Sequence, residues 1–151
     1  FEHFGVPHVA PALFDMGQVD LSQCCEVSRL AVTPEFRRPL QLPGDAGRVQ
    51  RFPFGVVSLY YASIALILQG GYAHAFMVAE PRLQRHLLRW GMHWRQISPE
   101  FEYYGSRAVF TASREALAAN VAALPPGWRS LYDTVCDQLA ASTRATWRAS
   151  G

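Results

Sequence analysis

Residues 54–91 read FGVVSLYYASIALILQGGYAHAFMVAEPRLQRHLLRWG, and three consecutive elements can be placed within them. The uncharged, apolar run 55–69 predicts a buried helix, and a Gly-Gly pair ends it. Residues 73–79 are apolar apart from His74, as expected of a short strand that is covered on both faces. A proline then begins a second helix over 81–90, with leucines on one face and arginines on the other.

The neighbouring segments extend this pattern into a mixed α/β fold. Residues 25–32 (CEVSRLAV) predict a strand, and the Pro- and Gly-containing residues 39–53 predict a flexible connector. Two later strands are predicted at 93–97 and 101–111. The order strand, helix, strand makes the helix at 55–69 a crossover between two parallel strands.

The C-terminal part of the sequence is predicted to be helical. Residues 113–123 predict an Ala-rich helix with Ser113 as its N-cap, and an amphipathic helix follows over 128–147 after a Pro-Pro-Gly break. We therefore divide the chain into an α/β part, 1–112, and a helical extension, 113–151.

Composition limits the classes of function. The 151 residues are 50% apolar and carry a net charge of only +2, which does not suggest nucleic-acid binding, although basic residues cluster locally and leave room for an acidic partner. Cys24, Cys25 and Cys136 lack the spacing of a disulfide framework or a zinc site, which favours a reducing cytoplasm. The longest apolar run is short and polar for a membrane span, and no signal peptide is visible. Because the first residue is Phe, we expect the sequence to begin inside a longer protein.

Two motifs together suggest a family. The segment EVSRLAV…FRR and the later GYAHAFMVAEPRLQRHLLRWGMHWRQISPEFEYYG resemble the acyltransferases associated with the exosortase (PEP-CTERM) protein-sorting system. These are similar to N-acyl amino acid synthases and to autoinducer (acyl-homoserine-lactone) synthases. The resemblance covers about residues 24–112. It implies a GNAT-type fold, in which a split central mixed sheet is flanked by helices and the donor's pantetheine arm lies between the two central strands. Nothing here corresponds to the N-terminal elements of that domain, so we expect 1–112 to be its C-terminal part.

Glu26 and Arg29 are the first candidate catalytic residues. Residues three apart on an extended strand point to opposite faces, so the two are not expected to pair with each other. The resemblance places both in the active-site cleft, with Glu26 accepting the proton of the amine and Arg29 orienting a carboxylate. The alternative is a strand end on which both charges are solvated or held in structural ion pairs.

The residues predicted to bind the acyl donor or its carrier protein are Arg37, Arg38, Val32 and Phe76. Acetyl-CoA-dependent relatives have a Gly-rich phosphate cradle after the first central strand, and that glycine spacing is absent here. A donor tethered to an acidic acyl carrier protein would depend more on surface arginines, which Arg37 and Arg38 provide. Alternatively, Arg37 and Arg38 lie in a solvated loop without a binding role, and Phe76 is a residue of the hydrophobic core.

Three further residues are candidates for an acid or for part of the cleft. Glu80 precedes the second helix, where it could also act as a cap, and Tyr103 and Tyr104 lie in a late strand or hairpin where many GNAT enzymes have a tyrosine acid. His86 and His93 have no third ligand nearby, so no metal site is predicted.

The leading hypothesis is therefore a cytoplasmic N-acyltransferase. It would transfer a fatty acyl group from acyl carrier protein to a small amine such as an amino acid, with acyl-phosphopantetheine or acyl-CoA as donor substrate and no bound cofactor. One alternative is an acetyl-CoA-dependent N-acetyltransferase, and another is a non-catalytic GNAT-like interaction domain. The acceptor, the acyl length and any self-association through the Ala-rich helix are left open.

Overall fold

A computed structural model describes residues 20–34, 40–43 and 49–149. Seven strands and four α-helices lie in these ranges. The strands are β1 (Cys24–Glu26), β2 (Leu40–Pro43), β3 (Val49–Phe52), β4 (His74–Ala79), β5 (Arg95–Gln96), β6 (Phe101–Glu102) and β7 (Ser106–Ser113). The helices are α1 (Phe54–Gln69), α2 (Pro81–Arg89), α3 (Arg114–Ala122) and α4 (Pro126–Ala149).

The main sheet is mixed, and its strand order is β1-β4-β7-β5, with β6 also paired to β7. β1 runs parallel to β4, so α1 is the crossover that the sequence predicts. β4 pairs antiparallel with β7 along its whole length, from His74 opposite Ser113 to Ala79 opposite Ala108. The chain is therefore a mixed α/β protein, as predicted, with its helices packed on a mixed sheet.

The first strand is much shorter than predicted. The expected strand at 25–32 ends at Glu26, and the last backbone bond to β4 runs from the N–H of Val27 to the carbonyl of Phe76, over 2.8 Å. Arg29 has a φ of 53°, in the left-handed region that an extended strand cannot contain. The prediction that Arg29 lies on this strand is therefore wrong.

The predicted connector also contains regular structure. β2 and β3 form a separate antiparallel pair, with Leu40 opposite Phe52 and Pro43 opposite Val49. The prolines and glycines of 39–53 suggested a loop, whereas the short segments LQLP and VQRF within it are extended and pair with each other.

The helix boundaries follow the sequence closely. Pro81 occupies the first turn of α2, and Ser113 caps α3 by accepting a hydrogen bond from the N–H of Ala116 at 3.2 Å, as predicted. α4 begins earlier than predicted because a proline fits the first turn of a helix, where its missing N–H costs nothing. None of the helices in the described ranges is both long enough and apolar enough to cross a membrane.

The core lies between one face of the main sheet and the helices, all four of which contribute to it. Its largest fully buried side chains include Tyr61, Ile64 and Val57 of α1, Phe110 of β7, Leu87 of α2 and Leu117 of α3. The hydroxyl of Tyr61 donates a hydrogen bond to the carbonyl of Trp90 at 2.8 Å, which joins α1 to the end of α2. A smaller cluster on the other face of the sheet contains Cys24, Phe76 and Val109.

Candidate functional site

The two parallel strands separate at the point where β1 ends. Glu26 is the last residue of β1 in register with β4, opposite Phe76, whereas β4 continues to Ala79. The carbonyl of Phe76 faces β1, and alternation along a strand directs the N–H and C=O of Val78 to the same side. No strand of the described chain pairs with that side of Val78, so an edge of β4 is open there.

A hollow of about 410 Å³ lies at this opening, and we call it the central hollow. Its apolar lining residues are Val27, Leu30, Tyr60, Met77, Val78, Ala79 and Leu83. Its polar and charged lining residues are Ser28, Arg29, Glu80, Arg82, His86 and Arg107. The volume falls in the range of about 300–1,000 Å³ that is usual for small-molecule sites. Three arginines against one glutamate give this mostly apolar hollow a positive rim.

Glu80 lies between β4 and α2 and holds two of these arginines. Its carboxylate accepts a hydrogen bond from Nε of Arg82 and lies 3.2 Å from Nη1 of Arg107. It makes no capping hydrogen bond to α2, so the predicted capping role is not observed. The hydrogen bond from Arg82, followed by the charges of both arginines, lowers the pKa of the Glu80 carboxyl. Glu80 is therefore ionised at neutral pH, which favours charge pairing over a role as an acid.

Arg107, on β7, is the residue that the sequence reasoning missed. Its side chain is only 22% exposed, and its guanidinium donates to the carbonyls of Tyr104 (2.8 Å) and Ser106 (3.1 Å) besides contacting Glu80. The signal was present, because Arg107 is the one charged residue in SRAVFTAS. A charge in an otherwise apolar strand needs a partner, and here the partner is Glu80.

Glu26 and Arg29 are not brought together. Arg29 lines the central hollow, is exposed and makes no salt bridge or hydrogen bond with a described residue. Glu26 is half-buried, and its register with Phe76 places it on the sheet face of the smaller cluster. Neither Glu26 nor Phe76 lines the hollow. The two charges do point to different places, but this follows from the break after β1 and not from strand alternation.

The other predicted donor residues lie away from the central hollow. Val32 lines a second hollow of about 490 Å³, between α1, α4 and the segment 31–33. Arg37 and Arg38 lie outside the described residues, so their role in docking a carrier stays a prediction.

Tyr103 and Tyr104 occupy a turn. The strand predicted over 101–111 is divided into β6 and β7, and the turn between them contains Tyr104 (φ 50°) and Gly105 (φ 97°). The two tyrosine rings meet edge to face with centroids 5.1 Å apart, and Tyr104 is 88% exposed. Neither tyrosine lines the central hollow, so the structure places neither of these two predicted acids in it; the tyrosine that lines it is Tyr60 of α1.

No group of three or more His, Cys, Asp or Glu side chains that could hold a metal ion occurs among the described residues. No protein-family model, no curated protein and no solved structure matches the chain. The resemblance to GNAT-type acyltransferases therefore rests on the sequence motifs themselves.

Proposed function

We propose that the chain belongs to an N-acyltransferase that moves a fatty acyl group from carrier-bound phosphopantetheine to a small amine such as an amino acid. The observation that carries the proposal is the open edge of β4 at Val78, where β1 has ended. A pantetheine arm contains two amides, and amides can pair with an open strand edge as an added strand does. This arrangement would lay the thioester across the central hollow.

The lining of the central hollow supports the same chemistry. Its apolar walls, including Leu30, Met77 and Leu83, suit the first carbons of an acyl chain. When the neutral amine attacks the thioester carbonyl, negative charge develops on the carbonyl oxygen, and the N–H of Val78 points to the side where that charge would be stabilised. The C–N bond forms as the C–S bond breaks, and the proton of the amine passes through water to the leaving sulfur.

Glu80 is the carboxylate nearest to this reaction in our proposal, since it lines the central hollow and Glu26 does not. Its low pKa makes it a weak base, so we assign it to holding the incoming amine and directing it at the carbonyl. Glu26 remains a prediction, and Glu26→Gln and Glu80→Gln compared side by side would decide between the two carboxylates.

The experiment uses the full chain with two donors. Acyl carrier protein charged with palmitate, or acetyl-CoA, is incubated with the protein and a broad set of amino acids and amines, and mass spectrometry follows loss of the thioester and formation of the amide. We expect amide only from the carrier-bound long acyl group. Turnover with acetyl-CoA alone would instead indicate an N-acetyltransferase. Absence of turnover with either donor would favour a non-catalytic interaction domain.

A further inference from the structure

A third hollow, next to the central one, contains charged residues to which the proposed chemistry assigns no role, Arg85 and Glu100 among them. Its volume is about 470 Å³, and it lies between the beginning of α2 and the β6–β7 turn. We call it the hairpin hollow. Its lining residues are Glu80, Pro81, Arg82, Arg85, Glu100, Tyr104, Gly105, Ser106 and Arg107. Glu80, Arg82 and Arg107 line both hollows, so these three residues form the border between them.

The charges of the hairpin hollow leave one cation in excess. Of its two carboxylates, Glu80 is paired with Arg82 and Arg107, and Glu100 accepts a hydrogen bond from the hydroxyl of Ser106 at 2.6 Å. Arg85 is exposed and makes no hydrogen bond or salt bridge with any residue in the described part of the chain. A guanidinium without a partner on the wall of a concave site is suited to bind a carboxylate through two parallel hydrogen bonds.

The wall that faces Arg85 is fixed by its own hydrogen bonds. Arg107 donates to the carbonyl of Tyr104, and the carboxylate of Glu102 accepts from the N–H of Gly105 at 2.9 Å. These bonds hold the backbone of a turn whose residues have positive φ. A ligand would therefore meet a shaped wall and would not need to order it, which lowers the cost of binding.

We propose that the hairpin hollow binds the carboxylate of the acceptor, with Arg85 as its principal ligand, while the amine of the same molecule lies at Glu80 on the border with the central hollow. This inference rests on the proposed function. It requires an acceptor whose carboxylate is separated from its amine by only a few bonds. After transfer, the acyl chain would lie in the central hollow and the carboxylate would stay in the hairpin hollow.

A binding experiment tests this without turnover. N-lauroylglycine and N-lauroylethanolamine share the chain and the amide and differ in the carboxylate. Each is titrated into the full chain by calorimetry below its critical micelle concentration. We expect the carboxylate to strengthen binding roughly tenfold, as for a charge-assisted hydrogen-bonded pair. Arg85→Gln should abolish that difference. Arg89→Gln is the matched control, because Arg89 lies on the same helix, is exposed and lines none of the three hollows.

Each other result would overturn the assignment. Equal binding of the two ligands, no binding of N-lauroylglycine, or an equal loss in the Arg85 and Arg89 variants would each exclude a carboxylate site at Arg85. The acyl-transfer assay separates the two proposals. If binding prefers the carboxylate through Arg85 but no acyl transfer occurs, the carboxylate site is supported and the acyltransferase proposal is excluded. If the unmodified chain and Arg85→Gln both transfer the acyl group to glycine and ethanolamine equally well, the acyltransferase proposal is supported and the carboxylate site is excluded.

Discussion

The guanidinium of Arg107 lies 3.2 Å from the carboxylate of Glu80, and this contact joins the β6–β7 hairpin to the beginning of α2. The two residues are distant in sequence and meet because Ala79 pairs with Ala108 in the sheet. The same pair forms part of the border between the central hollow and the hairpin hollow. One ion pair therefore lies between the two proposed substrate sites.

We expect Arg107→Met to lower the free energy of unfolding by about 1–3 kcal/mol, because it removes two backbone contacts and leaves Glu80 with one partner fewer. Urea unfolding measures this change. Arg129→Met is the matched control, since it breaks the exposed Arg129–Asp133 pair on α4 and should change stability by less than about 0.5 kcal/mol. Equal losses of unfolding free energy in the two variants would mean that the Glu80–Arg107 contact stabilises the protein no more than an exposed surface ion pair does.

Filling the central hollow should block acyl transfer without unfolding the protein. Ser28 lines this hollow and is exposed, so Ser28→Trp adds bulk there without disturbing the core. We expect at least about a tenfold fall in the rate of amide formation, with stability changed by less than about 0.5 kcal/mol. Ser130→Trp, on the exposed side of α4, should leave the rate unchanged. A Ser28 variant that keeps the full rate would move the donor site away from the central hollow.

The N-cap of α3 should be measurable on its own. Ser113→Ala removes the oxygen that accepts from the N–H of Ala116 and should destabilise the protein by about 1 kcal/mol. Ser113→Asp keeps an acceptor at this position and should restore most of the loss. Thermal unfolding compares the three proteins. Equal stability of the Ala and Asp variants would show that the side-chain oxygen does not cap α3.

Tyr61 should make the protein sensitive to alkali. Burial raises the pKa of Tyr61 from 10.0 to about 12, because the phenolate is poorly solvated inside the core. The unfolded chain therefore loses this proton first, and stability falls as the pH rises from about 10 through about 12. Burial likewise raises the pKa of Tyr132, whose ring meets that of Tyr61 edge to face at 5.7 Å.

The test is Tyr61→Phe, followed by urea unfolding between pH 8 and pH 12. At pH 8 the variant should lose about 1 kcal/mol, because the carbonyl of Trp90 loses its hydrogen-bond donor. Above pH 10 its stability should decline less steeply than that of the unmodified protein. Parallel curves for the two proteins would mean that Tyr61 does not contribute to the alkaline transition.

The central elements could be predicted from sequence because their signals are local. An apolar run predicts α1 and β4, and an amphipathic period predicts α2. The position of Ser113 before a helix likewise predicts that it is an N-cap. The end of β1 could not be predicted in this way. CEVSRLAV contains no Gly, Pro, Asn or Asp that would mark the end of a strand, and only the left-handed backbone of Arg29 shows where pairing stops.

The candidate site was less predictable for a different reason. Glu80 and Arg29 could be singled out as charges beside apolar segments, but Arg107 reaches Glu80 only through the register of β4 with β7. Register depends on how side chains pack across the sheet, and a single sequence does not state it. The proposed role of Arg85 depends on the hairpin turn at Tyr104, and for that segment the sequence left both a strand and a hairpin open.

β1 joins the sheet through three register pairs, to a strand some fifty residues further along the chain. Closing so long a loop costs conformational entropy, and the three residue pairs between β1 and β4 offset only a small part of that cost. The amide hydrogens of β1 and of the residues after it should therefore exchange with solvent sooner than those of β7, which is paired on both sides. One wall of the central hollow can in that case detach and return while the rest of the protein stays folded, which would open a path into the hollow for the acyl chain of the proposed donor.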